Sequence, residues 1–295
     1  MVMTSYNSKN ENLQPRIGRE LRSKTRPLTN EELYQAVPSM WQVDAHDSRS
    51  SYFRPIATFK VIDRLREEGF EPFAAIQSKA RDESKTDFTK HQIRLRKRSD
   101  MGIILPEWDE IILVNANDGT SSYQLMAGSF RLVCANGLVT GSPNNTQRVY
   151  HKGSSIEDDV IEGVFSVVKQ FDEVSEYRDA MKGTILDKKE QRAVAISAMA
   201  MSGFNLANLP YEPELLLRVN RNSDANSDLW STFNTVQENM IKGGVRYYNE
   251  EKQRYACTRA ITNISRNIDT NQAIWAAAKM MIQSESTKQD LLAVV

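Results

Sequence analysis

A chain of 295 residues, 40% hydrophobic and 26% charged, carries enough apolar content for a sizeable core in one large domain or two modest ones. Lys plus Arg and Asp plus Glu both number 38, so the formal charge is zero and the sum points to no partner. No window approaches the ~20 apolar residues of a membrane helix, the start MVMTSYNSKNENLQPRIGRE has no signal-peptide core, and Cys134 and Cys257 stand far apart, so the expectation is a cytoplasmic protein with reduced thiols and no membrane contact.

Residues 1–29 are polar and almost free of apolar periodicity, which predicts a flexible basic arm. Thr29 or Asn30 caps a short helix that stops before Pro38. TFKVIDRLREEGF puts Phe59, Ile62 and Leu65 on one helical face and ends at Gly69. Three strands follow, in EPFAAIQSKAR, FTKHQIRLRKR and DEIILVNAND, with Asn117, Asp118 and Gly119 supplying turn chemistry. SSYQLMAGSFRLVCANGLV reads either as a fourth strand or as a strand running into a short helix. Ser154 and Glu157 then stand at capping-box spacing before a stripe of Val160, Val164, Val168 and Phe171, and Asp187 and Glu190 repeat that spacing before the next helix. DLWSTFNTVQENMIKGG and IDTNQAIWAAAKMMIQ are two further helices, and residues 284–295 are expected as a loose tail. The order predicts an α+β fold: an N-terminal helix, three or four antiparallel strands, then a mainly helical half. Residues 30–283 read as one domain, with a subdomain break placed near 183.

Charge is distributed unevenly along this order. Residues 79–98 hold eight bases against three acids, residues 240–267 six against two, and residues 156–190 five against ten. One basic and one acidic face follow from such separation. Within KHQIRLRKRS, alternation along a strand would aim Arg94, Arg96 and Arg98 to one side, with Lys90 and Lys97 nearby, while Ile93 and Leu95 anchor the other. The second basic stretch, GGVRYYNEEKQRYACTRAITNISRN, interleaves Arg246, Arg254 and Arg259 with Tyr247, Tyr248 and Tyr255. Arginines hold phosphates and tyrosine rings stack on unpaired bases, so this mixture suits a single-strand groove. The plain alternative is a set of half-buried tyrosines with arginines reaching water along their stems.

Other chemistry has little support. The three histidines, His46, His91 and His151, show no HExxH spacing, and the cysteines form no CxxC. Phosphate loops, GxGxxG fingerprints and GxSxG elbows are absent, so no catalytic residue, metal or cofactor is expected. Glu157, Asp158 and Asp159 are better read as acids at a helix start. The most ligand-like loop is NANDGTSSYQL, in which Asn115, Asn117, Asp118 and Gly119 could meet an ion or simply turn a hairpin.

The runs FRPIATFKVIDRLREEGFEPFAAIQSKAR, HQIRLRK, EIILVNANDGTSSYQLMAGSFRLVCANGLV and TRAITNISRNIDTNQAIWAAAKMM resemble the domain-of-unknown-function 932 family of phages, prophages and plasmids, over about residues 50–282. Many relatives carry His where this chain has Asn117. The resemblance implies a mobile-element protein of the bacterial cytoplasm and supplies no catalytic residues. The order of elements is also similar, at fold level, to phage single-strand annealing proteins. The leading expectation is a non-catalytic single-stranded DNA binder that self-associates, since the groove of one small domain holds few nucleotides. The alternatives are a protein-binding inhibitor of a host defence system acting through the acidic helix, and an enzyme built on Asp118 and His151.

Overall fold

The computed structural model describes residues 15–101, 105–131, 136–140, 145–151 and 156–283; Ser154, Cys134 and the tail after Gln283 lie outside them. In chain order the elements are β1 (Leu21–Arg22), α1 (Asn30–Ala36), α2 (Thr58–Glu67), β2 (Phe70–Gln77), β3 (His91–Lys97), β4 (Glu107–Asn115), β5 (Tyr123–Arg131), β6 (Asn136–Val139) and β7 (Gln147–Val149). The helical half follows as α3 (Ile156–Val168), α4 (Gln170–Gly183), α5 (Lys188–Met201), α6 (Leu229–Lys242), a small hairpin of β8 (Arg246–Asn249) and β9 (Arg254–Cys257), and α7 (Ile264–Gln283). The strands run in the order β1-β2-β3-β4-β5-β6 with β7 on β5, and the fold is α+β as expected. Two compact units divide the chain: residues 1–104, 113–124 and 149–161 form the first, and residues 105–112, 125–148 and 162–295 the second. The position near 183 is no boundary between them, because the chain after α4 stays in the second unit, where Leu186 N donates to Ser227 O and Leu229 N to Thr184 O.

In the first unit, Thr29 and Glu32 form a reciprocal capping box that starts α1. Helix α2 buries Val61, Ile62 and Leu65, each removal from water contributing about 1.5–3 kcal/mol. Gly69 leaves the helix at φ +84°, and β2 begins at the next residue. Strand β2 pairs antiparallel with β3 from Phe70–Lys97 to Gln77–His91, with an irregularity between Pro72 and Ala74. The segment expected as a flexible arm behaves differently in its described part. Leu21 and Arg22 pair with Ala75 and Ala74, Leu28 is buried, and its amide donates to Pro72 O. Two well-placed apolar side chains and a strand edge needing partners outweigh its polar composition. Residues 1–14 lie outside the described residues.

In the second unit, the ambiguous stretch 122–139 contributes strand at both ends: Gly128, Ser129, Phe130 and Arg131 of β5 pair with Val139, Leu138, Gly137 and Asn136. Helix α5 starts at the capping box of Asp187 and Glu190. Helix α6 is buried nearly all round, including its polar residues. Several of them are paired: Asn239 Nδ2 donates to Leu216 O and Arg218 O, Gln237 Nε2 donates to Asn271 Oδ1, and Glu238 receives a bidentate pair from Arg221. Aromatic packing centres on Phe233, stacked on Trp230 at 5.3 Å and edge-on to Trp275 at 5.8 Å.

The end of α6 launches the β8–β9 hairpin. Gly243 holds φ +66° and ψ −153°, a region that only glycine adopts without strain. A Cβ there would lie 2.6 Å from the backbone carbon of Arg259. The close crossing lets Gly244 N and Val245 N bond to Thr258 and Thr258 N bond to Val245 O, closing the hairpin at its base. Gly243→Ala should therefore cost about 2 kcal/mol or more. Urea denaturation of the variant beside the unchanged protein measures this, and an unaltered midpoint would show that the crossing does not bear on stability.

Candidate nucleic-acid interface

The ridge expected from alternate arginines does not form. Arg94 and Arg96 are each 2% exposed, because both faces of β3 are covered, the one with Ile93 and Leu95 as well as the one with the arginines. The Arg96 guanidinium lies 4.5 Å from the Phe73 ring centroid, stacked rather than free for phosphate. Strand β3 ends at Lys97, so Arg98 sits in the following turn, where its guanidinium donates to Glu71 at 2.6 Å and Arg66 O at 2.9 Å. Lys90 and Lys97 flank the strand and are half-buried. These side chains help hold the first unit together. Arg96→Ala should lower stability by about 2–4 kcal/mol through lost packing and an opened cavity, read as a fall in thermal midpoint. An unchanged midpoint would return Arg96 to the surface.

The loop expected to meet a ligand is turned inward at its start. Asn115 Nδ2 donates to Ile56 O and Thr58 Oγ1, and Asn117 Nδ2 to Gln42 O, while Asn117 Oδ1 accepts from Ile56 N. Both amides pin the entry to α2 against β4. Asp118 accepts from Thr120 N and Thr120 Oγ1, a local Asx turn, and Gly119 at φ +77° carries the Arg49 side chain across it. The turn is thus closed locally at Asp118 and Thr120, while the Asn115 and Asn117 side chains are engaged by residues 42, 56 and 58. His151, proposed beside Asp118 in the enzyme reading, stacks on Phe53 at 4.4 Å and bonds through Nδ1 to Arg54 O. Among the described residues no group of three or more His, Cys, Asp or Glu side chains could hold a metal ion.

Next to the asparagines, fully buried His91 bridges two hydroxyls, with Ser39 Oγ 2.8 Å from Nδ1 and Thr58 Oγ1 2.8 Å from Nε2. Burial drives its pKa from 6.5 to about 4, so the imidazole is neutral. An unfolded chain binds a proton at this histidine below about pH 6.5 while the folded one does not. Stability is then whole above that pH and drains as pH falls toward 4, by roughly 3 kcal/mol in all for this group. Denaturation midpoints of the protein and of His91→Gln between pH 7.5 and 4.5 check this; equal slopes for the two would refute it.

The second basic stretch has the opposite character. Strands β8 and β9 pair Arg246–Cys257, Tyr247–Ala256, Tyr248–Tyr255 and Asn249–Arg254. Alternation places Arg246, Tyr248, Tyr255 and Cys257 on one face, and all four are exposed. Tyr255 is 64% exposed and Tyr248 46%. The two rings meet edge-on at 5.4 Å, and the Arg246 guanidinium lies 4.4 Å from the Tyr255 ring centroid. The other face carries Tyr247, half-buried 5.4 Å from Tyr211, beside Asn249, Ala256 and exposed Arg254. Arg259 lies beyond β9 and is exposed. Of the residues read from the sequence, Arg246, Tyr248 and Tyr255 form one surface; Arg254 belongs to the reverse side and Tyr247 to the packing.

The loop joining the strands, residues 250–253, is closed by Asn249 Oδ1 accepting from Lys252 N at 2.7 Å and by Gln253 N donating to Glu250 O. Gln253 stands at φ +49° and its Oε1 accepts from the Tyr248 hydroxyl at 3.2 Å. This residue has no counterpart among the expected site residues. The sequence signal was two strand-prone tetrapeptides, RYYN and RYAC, four residues apart, a hairpin spacing hidden by the lack of glycine in the loop. The acidic helices are exposed at Glu162, Asp172, Glu173, Glu176 and Asp179, while Asp158 is held by Arg64 at 2.6 Å.

No helix of the described residues is long and apolar enough to cross a membrane. No solved structure matches the chain. Two Escherichia coli K12 proteins, UPF0380 protein YafZ and UPF0380 protein YfjQ, are each 41% identical to it over 260 residues, which is 88% of this chain and 93% of theirs. A family model described as Domain of unknown function (DUF932) matches residues 45–275, and the chain belongs to that family.

Proposed function

We propose that this protein binds single-stranded DNA without catalysis, in annealing or protection of exposed strands, and that the β8–β9 hairpin is its contact. The supporting observation is the composition of one hairpin face: a guanidinium and two open tyrosine rings in adjacent cross-strand positions, none of them needed by a core. Base faces are available only in unpaired strands, so rings displayed this way favour single strands over duplex. Arg246 sits beside the rings, and Arg254 and Arg259 add charge on either side for the backbone. Arg94 and Arg96, enclosed in β3, and Arg98, paired with Glu71, take no part in this contact. One hairpin spans few nucleotides, so several copies share a long strand.

Fluorescence anisotropy with a labelled oligothymidylate tests the assignment. Tyr248→Ala with Tyr255→Ala should weaken binding about tenfold or more. Arg246→Ala with Arg254→Ala should weaken it and shrink the slope of log affinity against log salt by roughly 1.4, at about 0.7 per lost phosphate contact. Wild-type affinity in the variant carrying all four changes would reject the hairpin as the contact.

A further inference from the structure

Gln253 is the one residue other than glycine at positive φ among the described residues, at +49°. A side chain in this region is disfavoured, and the loop's backbone requirement would be met by glycine at no steric cost. What glycine cannot supply is the amide. The Nε2 group of Gln253 donates to Glu250 O at 2.6 Å, and Oε1 accepts from the Tyr248 hydroxyl at 3.2 Å. The amide therefore has one end on the loop backbone and the other on an exposed ring. That ring is the cross-strand partner of Tyr255, which in turn carries Arg246.

Resting on the single-strand reading above, we infer that Gln253 is a positioning residue that fixes the Tyr248 ring as half of the base-stacking platform. An exposed tyrosine joined to the chain only through its own torsions must lose that freedom when a base stacks on it. Gln253 removes part of the freedom in advance, tying the phenol to a loop already closed by Asn249 and Glu250. The strained backbone at a residue with no core role is accounted for by this bridge.

The test uses the full chain and the labelled oligothymidylate. Tyr248→Phe keeps the ring and drops the hydroxyl; Gln253→Gly keeps the backbone geometry and drops the amide. Each should weaken binding about three- to fivefold, the worth of one exposed hydrogen bond, with faster dissociation. The double variant should be no weaker than either single one, because both remove the same bridge. Thermal midpoints separate this from a structural role: Gln253→Gly should not lower the midpoint, since glycine suits the left-handed position. Wild-type affinity for Gln253→Gly, or losses that multiply in the double variant, overturns the positioning role while leaving the hairpin as the contact. Failure of the unchanged protein to bind the oligonucleotide removes the single-strand reading and this inference with it.

Discussion

Strand β3 is covered on both faces, and much of the first unit's chemistry follows from that enclosure. A strand in the middle of a sheet with two covered faces has no outward side on which to display charge. His91, Arg94 and Arg96 are therefore core residues despite their type. Each must be satisfied where it lies. His91 does so by losing its proton and bridging Ser39 and Thr58. Arg96 cannot lose its charge at any ordinary pH, and it spreads that charge over the Phe73 ring. An enclosed polar strand of this kind specifies its surroundings closely, since every neighbouring element must present a partner.

The hairpin of the second unit obeys the reverse condition. Two strands alone bury little, and this pair is held at its base by the Gly243 crossing and on one face by Tyr247 against Tyr211. Its outer face has no packing duty. Tyr248, Tyr255 and Arg246 there make contacts with one another, and such contacts order the side chains without removing them from solvent. Rigidity with exposure is the combination a binding surface needs, because ordering costs are met before the ligand arrives.

These opposite conditions explain what the sequence disclosed. The amphipathic helices, the Thr29 cap, the Asp187–Glu190 capping box and strands β2, β3 and β4 follow from local periodicity and cap chemistry. The same periodicity misled at Arg94 and Arg96, since alternation says which residues share a face and nothing about whether that face is covered. Coverage is decided by residues far away in the chain. Arg22 and Leu21 show the point in the other direction, a polar segment drawn into the sheet by an available edge next to Ala74 and Ala75. At the hairpin, residue types identified the aromatic and basic mixture, but its division into two faces depended on the Tyr248–Tyr255 register. Gln253 was illegible because left-handed backbone in a loop is ordinarily announced by Gly or Asn.

The charges at the tip of the hairpin bear on how it would meet a polyanion. Glu250 and Glu251 occupy the loop between strands that carry Arg246 and Arg254. Lys252 in the same loop and Arg254 on the adjoining rung offset these two acids, so the tip is close to neutral, and Arg246 is the cation lying over the Tyr255 ring. Glu250 also serves the loop itself through its carbonyl, which receives both the amide and the side chain of Gln253.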